Sequence, residues 1–129
     1  MRDYRKIRAW QRADDLAVEI YQETKHFPKE EIYGLTSQMW RAAVSVAANI
    51  VEGSSRATRK DYLHFLNIAH ASLNETQYFL HLSQRIQILT PVQYERLQQR
   101  ASQCFRSLSG LIQAVRTDGS AACGGALCR

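Results

Sequence analysis

The chain has 129 residues, 45% of them hydrophobic and 22% charged, which is the composition of one globular domain with a real core and leaves no room for two. A formal net charge of +5 permits attraction to nucleic acid or an acidic partner without establishing either. Three cysteines without a regular framework argue against a disulfide-built secreted domain, and the charged start from Met1 to Arg12 does not read as a signal peptide, so the expectation is a cytoplasmic protein.

The two prolines, Pro28 and Pro91, both stand at breaks between periodic segments and leave the segment interiors free to be helical. Periodicity predicts a first helix over residues 4–26, with Trp10, Ala13, Leu16, Ala17, Ile20, Tyr21 and Thr24 on the apolar face. Arg8, Gln11, Arg12, Asp15, Glu19 and Gln22 fall on the opposite face, which should be wet. Pro28 and Gly34 then stop the chain and turn it, and Glu30 and Glu31 suit the positive end of the helix that follows.

The second predicted helix, residues 35–53, is the most unusual segment. At about 100° per residue, Gln38, Arg41, Ser45, Asn49 and Glu52 crowd onto one narrow stripe. Leu35, Met39, Ala42, Ala43, Val46 and Ile50 form its main apolar face, and Trp40, Val44, Ala47 and Val51 continue it. Such a helix needs cover on two sides, from its own chain or from another subunit. Its most apolar stretch, bracketed by Arg41 and Glu52, has about half the length that crosses a bilayer, so it reads as a buried helix without a membrane role.

Gly53 and the polar run after it end that helix. Thr58 with Asp61 resembles a capping box that opens a third helix over residues 59–88. Tyr62, Leu66, Ala69, Leu73, Thr76 and Leu80 form its main face, and Phe65, Ile68, Phe79, Leu82 and Ile86 form a second flank. Thr90, Pro91 and Gln93 supply an N-cap, a first-turn proline and the capping-box partner for a fourth helix over residues 91–117. Its one clean stripe runs from Tyr94 and Leu97 through Cys104 and Leu108 to Val115. Residues 118–129 turn to Gly, Ala, Ser and Cys and are expected to form a loose tail. Nothing alternates with period two, so the fold class is all-α: an up-down-up-down four-helix bundle over residues 1–117.

The chemistry expected of an enzyme is thin. Glu23 and His26 form a single E-x-x-H, whereas di-iron bundles need two such pairs and two more inward glutamates, so the pair reads as ordinary surface. His70, Asn74, Gln77 and His81 line the solvent side of the third helix, and because the two histidines are eleven positions apart they stand about 16 Å from each other along the axis, too far for one metal. His64 stands alone. Cys104 belongs to the apolar stripe, and Cys123 and Cys128 have neither a zinc spacing nor a nearby base. No nucleophile elbow or phosphate loop is present. The expectation is therefore no catalytic residue, no cofactor and no metal.

Basic residues carry more. Arg5, Arg8 and Arg12 recur at helical spacing, with Arg2 and Lys6 close by, and Arg56, Arg59 and Lys60 surround the turn between the second and third helices. Arg96, Arg100 and Arg106 add to the fourth. These clusters are either a solvated face or phosphate contacts, which become potent when multiplied in a ring of subunits. The polar stripe of the second helix has two readings as well: a wet face, or a partly buried network of Gln38, Arg41, Ser45, Asn49 and Glu52 with Ser72 and Glu75 of the third helix.

An ordered set of residues from Trp10 to Ile88 resembles a known family. It includes Trp10, Leu16, Tyr21, Thr24, Phe27 and Pro28, then Tyr33, Gly34, Leu35 and Gln38. It continues through Arg41 to Ser45 and Asn49, Ile50, Glu52 and Gly53, and closes with Phe65, Leu66, Ile68, Ala69, Ser72, Leu73 and Glu75. The family is the bacterial four-helix bundle proteins named after open reading frames in 23S rRNA intervening sequences. Two positions depart from its pattern: Trp40 stands where an arginine is common, and Val51 where alanine is usual. The resemblance implies a cytoplasmic, non-enzymatic bundle that forms a homo-oligomer, a pentameric ring. The chain is also similar to accessory proteins of diversity-generating retroelements, which implies a basic surface working with a reverse transcriptase and its RNA. Two functions follow as expectations: an accessory or scaffold protein that binds RNA or DNA, or a protein-protein interaction module with no nucleic-acid role.

Overall fold

Each helix of this chain starts or stops where a particular local interaction makes it. A computed structural model describes residues 2–118, which form α1 (Arg8–Thr24), α2 (Ser37–Ser54), α3 (Arg59–Arg85) and α4 (Pro91–Asp118), with no strand among the described residues. The expected tail from residue 119 onward, with Cys123 and Cys128, lies outside the described residues.

The first helix does not begin at residue 4 as the periodicity predicts. Tyr4–Lys6 is a short 3-10 turn capped by Asp3, whose Oδ1 accepts from the Arg5 N–H at 3.1 Å. Ile7 is extended at φ −84°, ψ 119° and buried, and α1 starts only after it. Burying this β-branched side chain in the core interrupts the helix that the charge spacing alone would continue. Between α1 and α2 the chain makes a 3-10 turn, Lys29–Glu31, and a wide turn, Ile32–Thr36, with Gly34 off the helical path at φ −108°, ψ −108°. Glu30 and Glu31 therefore sit in the 3-10 turn, ahead of the first turn of α2.

Two N-caps form by hydroxyl acceptance. Thr58 Oγ1 accepts from Asp61 N at 3.1 Å, and Thr90 makes a full reciprocal box with Gln93, at 3.2 Å and 2.9 Å, with Pro91 in the first turn. At the other end of α3, Gln87 adopts φ 65° while Ile88 N donates to Ser83 O and Gln87 N donates to Gln84 O. This is a Schellman turn with glutamine in the left-handed position. It ends the helix at Arg85, three residues before the predicted end.

α1 packs on α2 and α4, and α3 packs on the same two helices. Leu16, Ile20, Met39, Val46, Ile50, Tyr62, Leu66, Leu73, Leu97 and Leu108 are fully buried between them, each large side chain contributing about 1.5–3 kcal/mol of burial. Buried hydroxyls return to their own helices: Thr76 Oγ1 donates to Ser72 O and Ser83 Oγ to Phe79 O. Gly53 lies inside α2, which runs on to Ser54, so it does not end the helix as its residue type indicates. A Cβ there would come within 3.0 Å of Tyr62 Cδ1 and 3.1 Å of Phe65 Cβ. Glycine is needed for α2 to approach α3 this closely.

The second apolar side of α2 finds no full cover among the described residues. Trp40 is 38% and Val44 36% exposed; Tyr21, placed on the core face by periodicity, is 49% exposed with its ring 5.0 Å from that of Trp40. Across the α3 side, Ile68 is 37% exposed. None of the described helices is long and apolar enough to cross a membrane.

Candidate nucleic-acid interface

Parts of the two basic clusters that sequence spacing separates meet at one end of the bundle, where the start of the chain lies against the end of α2 and the α2–α3 turn. Arg2 joins them: its Nη1 donates to Arg56 O at 3.1 Å and to Ser54 O at 3.5 Å, and its guanidinium lies 4.2 Å over the Tyr62 ring. The cation thereby satisfies carbonyls left open at the C-terminal end of α2, where the helix dipole favours positive charge. Arg59 acts likewise on α4, with Nη1 donating to Arg116 O at 3.0 Å. The start of the chain, the α2–α3 turn and the end of α4 share one surface as a result.

The cations on that surface are not equally free. Arg5 pairs with Asp3 at 3.0 Å, which holds the Asp3 carboxyl below its usual value and raises the guanidinium. Arg56 pairs with Glu52 at 2.6 Å and stacks 4.6 Å over the Phe65 ring. Arg8 and Lys60 are exposed and make no ion pair among the described residues. Arg12 departs from the expected wet face: it is half-buried on the side of α1 that meets α4, close enough to Cys104 for its charge to favour the thiolate. Burial outweighs that effect and pushes the Cys104 thiol up to about 12, which leaves it protonated and unreactive.

Other residues of the supposed wet face also belong to the α1–α4 seam. Glu19 pairs with Arg100 at 3.0 Å and Glu23 pairs with Arg96. Glu23, with a side chain 14% exposed, is thus committed to an arginine on another helix and is not an outward partner of His26. The α1 wheel could not show this, because it depends on where α4 lies. Arg96 and Arg100 are correspondingly removed from any free basic surface. Among the described residues no group of three or more His, Cys, Asp or Glu is placed to hold a metal ion.

The network predicted along α2 forms at its centre only. One of the Ser45 and Ser72 hydroxyls donates to the other across the α2–α3 seam at 2.9 Å, and Asn49 Nδ2 donates to Ser45 O at 2.8 Å and Ser45 Oγ at 2.9 Å. Gln38, Arg41 and Glu75 are exposed and make no side-chain hydrogen bond or ion pair among the described residues, while Glu52 turns to Arg56. The expected burial of Arg41 is therefore not met within the chain. α3 covers the Ser45 edge of the stripe, and Arg41 points outward from it.

A family model described as 23S rRNA-intervening sequence protein matches residues 5–110. Among solved structures, a protein of unknown function from the S23 ribosomal protein family of Bacteroides thetaiotaomicron VPI-5482 is similar with a TM-score of 0.76 and 29% identity. The match covers 81% of this chain and 95% of that one. A search of curated proteins found no match.

Proposed function

This chain belongs to the 23S rRNA-intervening sequence protein family, and on that footing we propose a non-enzymatic cytoplasmic bundle, its helices alternately up and down, that assembles as a ring-shaped homo-oligomer, a pentamer, and binds RNA or DNA as an accessory or scaffold protein. The observation that carries the nucleic-acid reading is the basic end, where Arg2 draws the start of the chain onto the α2–α3 turn and leaves Arg8 and Lys60 exposed. Phosphate contacts of this kind release counterions, so affinity falls steeply with salt. In a filter-binding or anisotropy assay with RNA and DNA, Arg8→Ala with Lys60→Ala is expected to weaken binding and flatten its salt dependence by about one or two phosphate contacts. Wild-type affinity that is flat between low and physiological salt removes the reading.

The exposed apolar strip of Tyr21, Trp40 and Val44 favours a second reading, a protein-interaction module whose basic residues serve its own fold. Arg5, Arg56 and Arg59 do have partners within the chain, as that reading requires. Binding of a protein partner with no detectable affinity for RNA or DNA decides for it.

A further inference from the structure

The turn that joins α1 to α2 carries the most exposed large apolar side chain among the described residues. Tyr33 is 96% exposed and its neighbour Ile32 about half exposed, and Gly34 takes the backbone off the helical path directly after them. Glu30 and Glu31 precede them and, against Lys29, leave this turn with a net negative charge. An apolar pair held in water on an acidic turn adds little stability to its own chain.

The outer side of α3 carries the complement. Tyr78, Leu82 and Arg85 recur at helical spacing opposite the buried Leu80 and Ser83, and with His81 and Ile86 they line a hollow of ≈ 250 Å³. No carboxylate lines it, and its fixed charge is the Arg85 guanidinium. An apolar cavity of about 150 Å³ holds a benzene ring, so this hollow has room for the ring of a tyrosine. The nearest acid on α3, Glu75, lies about 15 Å from Arg85 along the helix. Glu30, Glu31 and Arg85 make no ion pair among the described residues.

Turn and hollow stand at one level of the bundle. The Ser45–Ser72 hydrogen bond sets α2 against α3, and Gly53 meets Tyr62 and Phe65 further along, so the two helices run antiparallel. From that bond, Tyr33 lies twelve residues back past the start of α2 and Arg85 lies thirteen residues on, at the end of α3. Rotation about an axis parallel to the helices leaves each residue at its own level, so in a ring of that kind only features of equal level meet. They also lie on different sides, because α1 and α3 each pack on α2 and α4. A contact between two different sides is head-to-tail, the kind that closes a ring.

We propose that the Tyr33 turn of one copy of this chain seats in the α3 hollow of the next copy. The proposal rests on the homo-oligomer reading above and names a contact that joins neighbouring subunits. Ile32 and Tyr33 cover the Tyr78, Leu82 and Ile86 side chains, and Glu30 and Glu31 face Arg85. The charges also set direction, since two acidic turns, or two hollows, repel one another. Trp40 stands in the first turn of α2, so the seated turn borders the apolar strip and both are buried by one contact.

Light scattering of the full chain, with circular dichroism on the same samples, tests this. The wild-type protein is expected to be larger than a dimer. Ile32→Ala with Tyr33→Ala, both exposed positions, should reduce the mass to that of one subunit with helix content retained. Arg85→Glu should do the same by setting like charges against each other, and it serves if the first variant loses helix content. Combining Arg85→Glu with Glu30→Arg and Glu31→Arg exchanges the charges and should restore the wild-type mass. Wild-type mass in the first two variants overturns the proposal, as does a charge-exchanged variant that stays monomeric. If the assembly survives those variants but is lost in Val44→Glu, the ring reading stands on the apolar strip alone. A wild-type chain that is a monomer or a dimer overturns both.

Discussion

At Gly53 the contact of α2 with α3 depends on the absence of a single methyl group. The Cβ of an alanine would meet Tyr62 Cδ1 at 3.0 Å and the Phe65 Cβ at 3.1 Å, and Tyr62 is fully buried with Arg2 over its ring, so it has nowhere to move. Gly53→Ala gains helix propensity yet is expected to destabilise the protein by about 1–3 kcal/mol, because overpacking costs more than propensity returns. Urea denaturation checks this, and an unchanged or higher midpoint means the two helices are not in contact as described. Sequence reasoning found the right residue for the wrong reason: a glycine near a helix end signals a cap, whereas its close approach depends on Tyr62 and Phe65, which only the fold brings near. Cys104 is the opposite case. Its place on an apolar stripe was enough to assign it to the core, because the helix period alone decides that. Arg41 and Glu23 show where a helical wheel stops: it gives the direction of a side chain, and the neighbouring helix decides whether that direction is wet.

The starts of α3 and α4 were legible because their signals are local. Thr90, Pro91 and Gln93 carry the whole cap of α4 within one turn, and Thr58 does the same for α3. The end of α3 was not, since no glycine marks it. Gln87 takes the left-handed conformation at φ 65° to complete the Schellman turn, at a cost of about 1–2 kcal/mol for an L-residue with a side chain. Gln87→Gly removes that cost but adds freedom to the unfolded chain, so the net expectation is a gain of about 0.5–1 kcal/mol. Thermal unfolding should show a higher midpoint, and a lower one means that the Gln87 side chain makes a contribution that its exposure conceals. The start of α1 was misplaced for a similar reason. Arg5, Arg8 and Arg12 keep helical spacing across Ile7, but burial of Ile7 extends the backbone there and puts Arg5 in a separate turn paired with Asp3. The predicted arginine stripe is accordingly divided among the turn, the exposed start of α1 and the α1–α4 seam.

For the molecule as a whole, the surplus of apolar surface on α2 is the feature that four helices do not resolve. Trp40 and Val44 remain more than a third exposed although they sit on the helix with the broadest apolar circumference, and Tyr21 and Ile68 extend the exposed area onto α1 and α3. A solvated monomer derives no stability from the exposed part of these side chains, while a second copy burying it gains about 25 cal/mol per Å² removed from water. Two exposed charges on the helices that bear the strip fit that role: among the described residues Arg41 of α2 and Glu75 of α3 make no ion pair, which leaves both available to groups on another subunit. Because each element that bears the strip also bears a part of the basic end, assembly through the strip brings several basic ends into one particle and multiplies their phosphate contacts. Val44→Glu places a charge in the centre of the strip without touching the core, so it is expected to convert the assembly to monomers with helix content retained, and to weaken nucleic-acid binding together with it. Light scattering and circular dichroism on the same samples check the first part. A wild-type protein that is monomeric at high concentration, or a Val44→Glu assembly unchanged in mass, rejects the strip as the assembly surface, and the salt dependence of the monomer then reports the basic end alone.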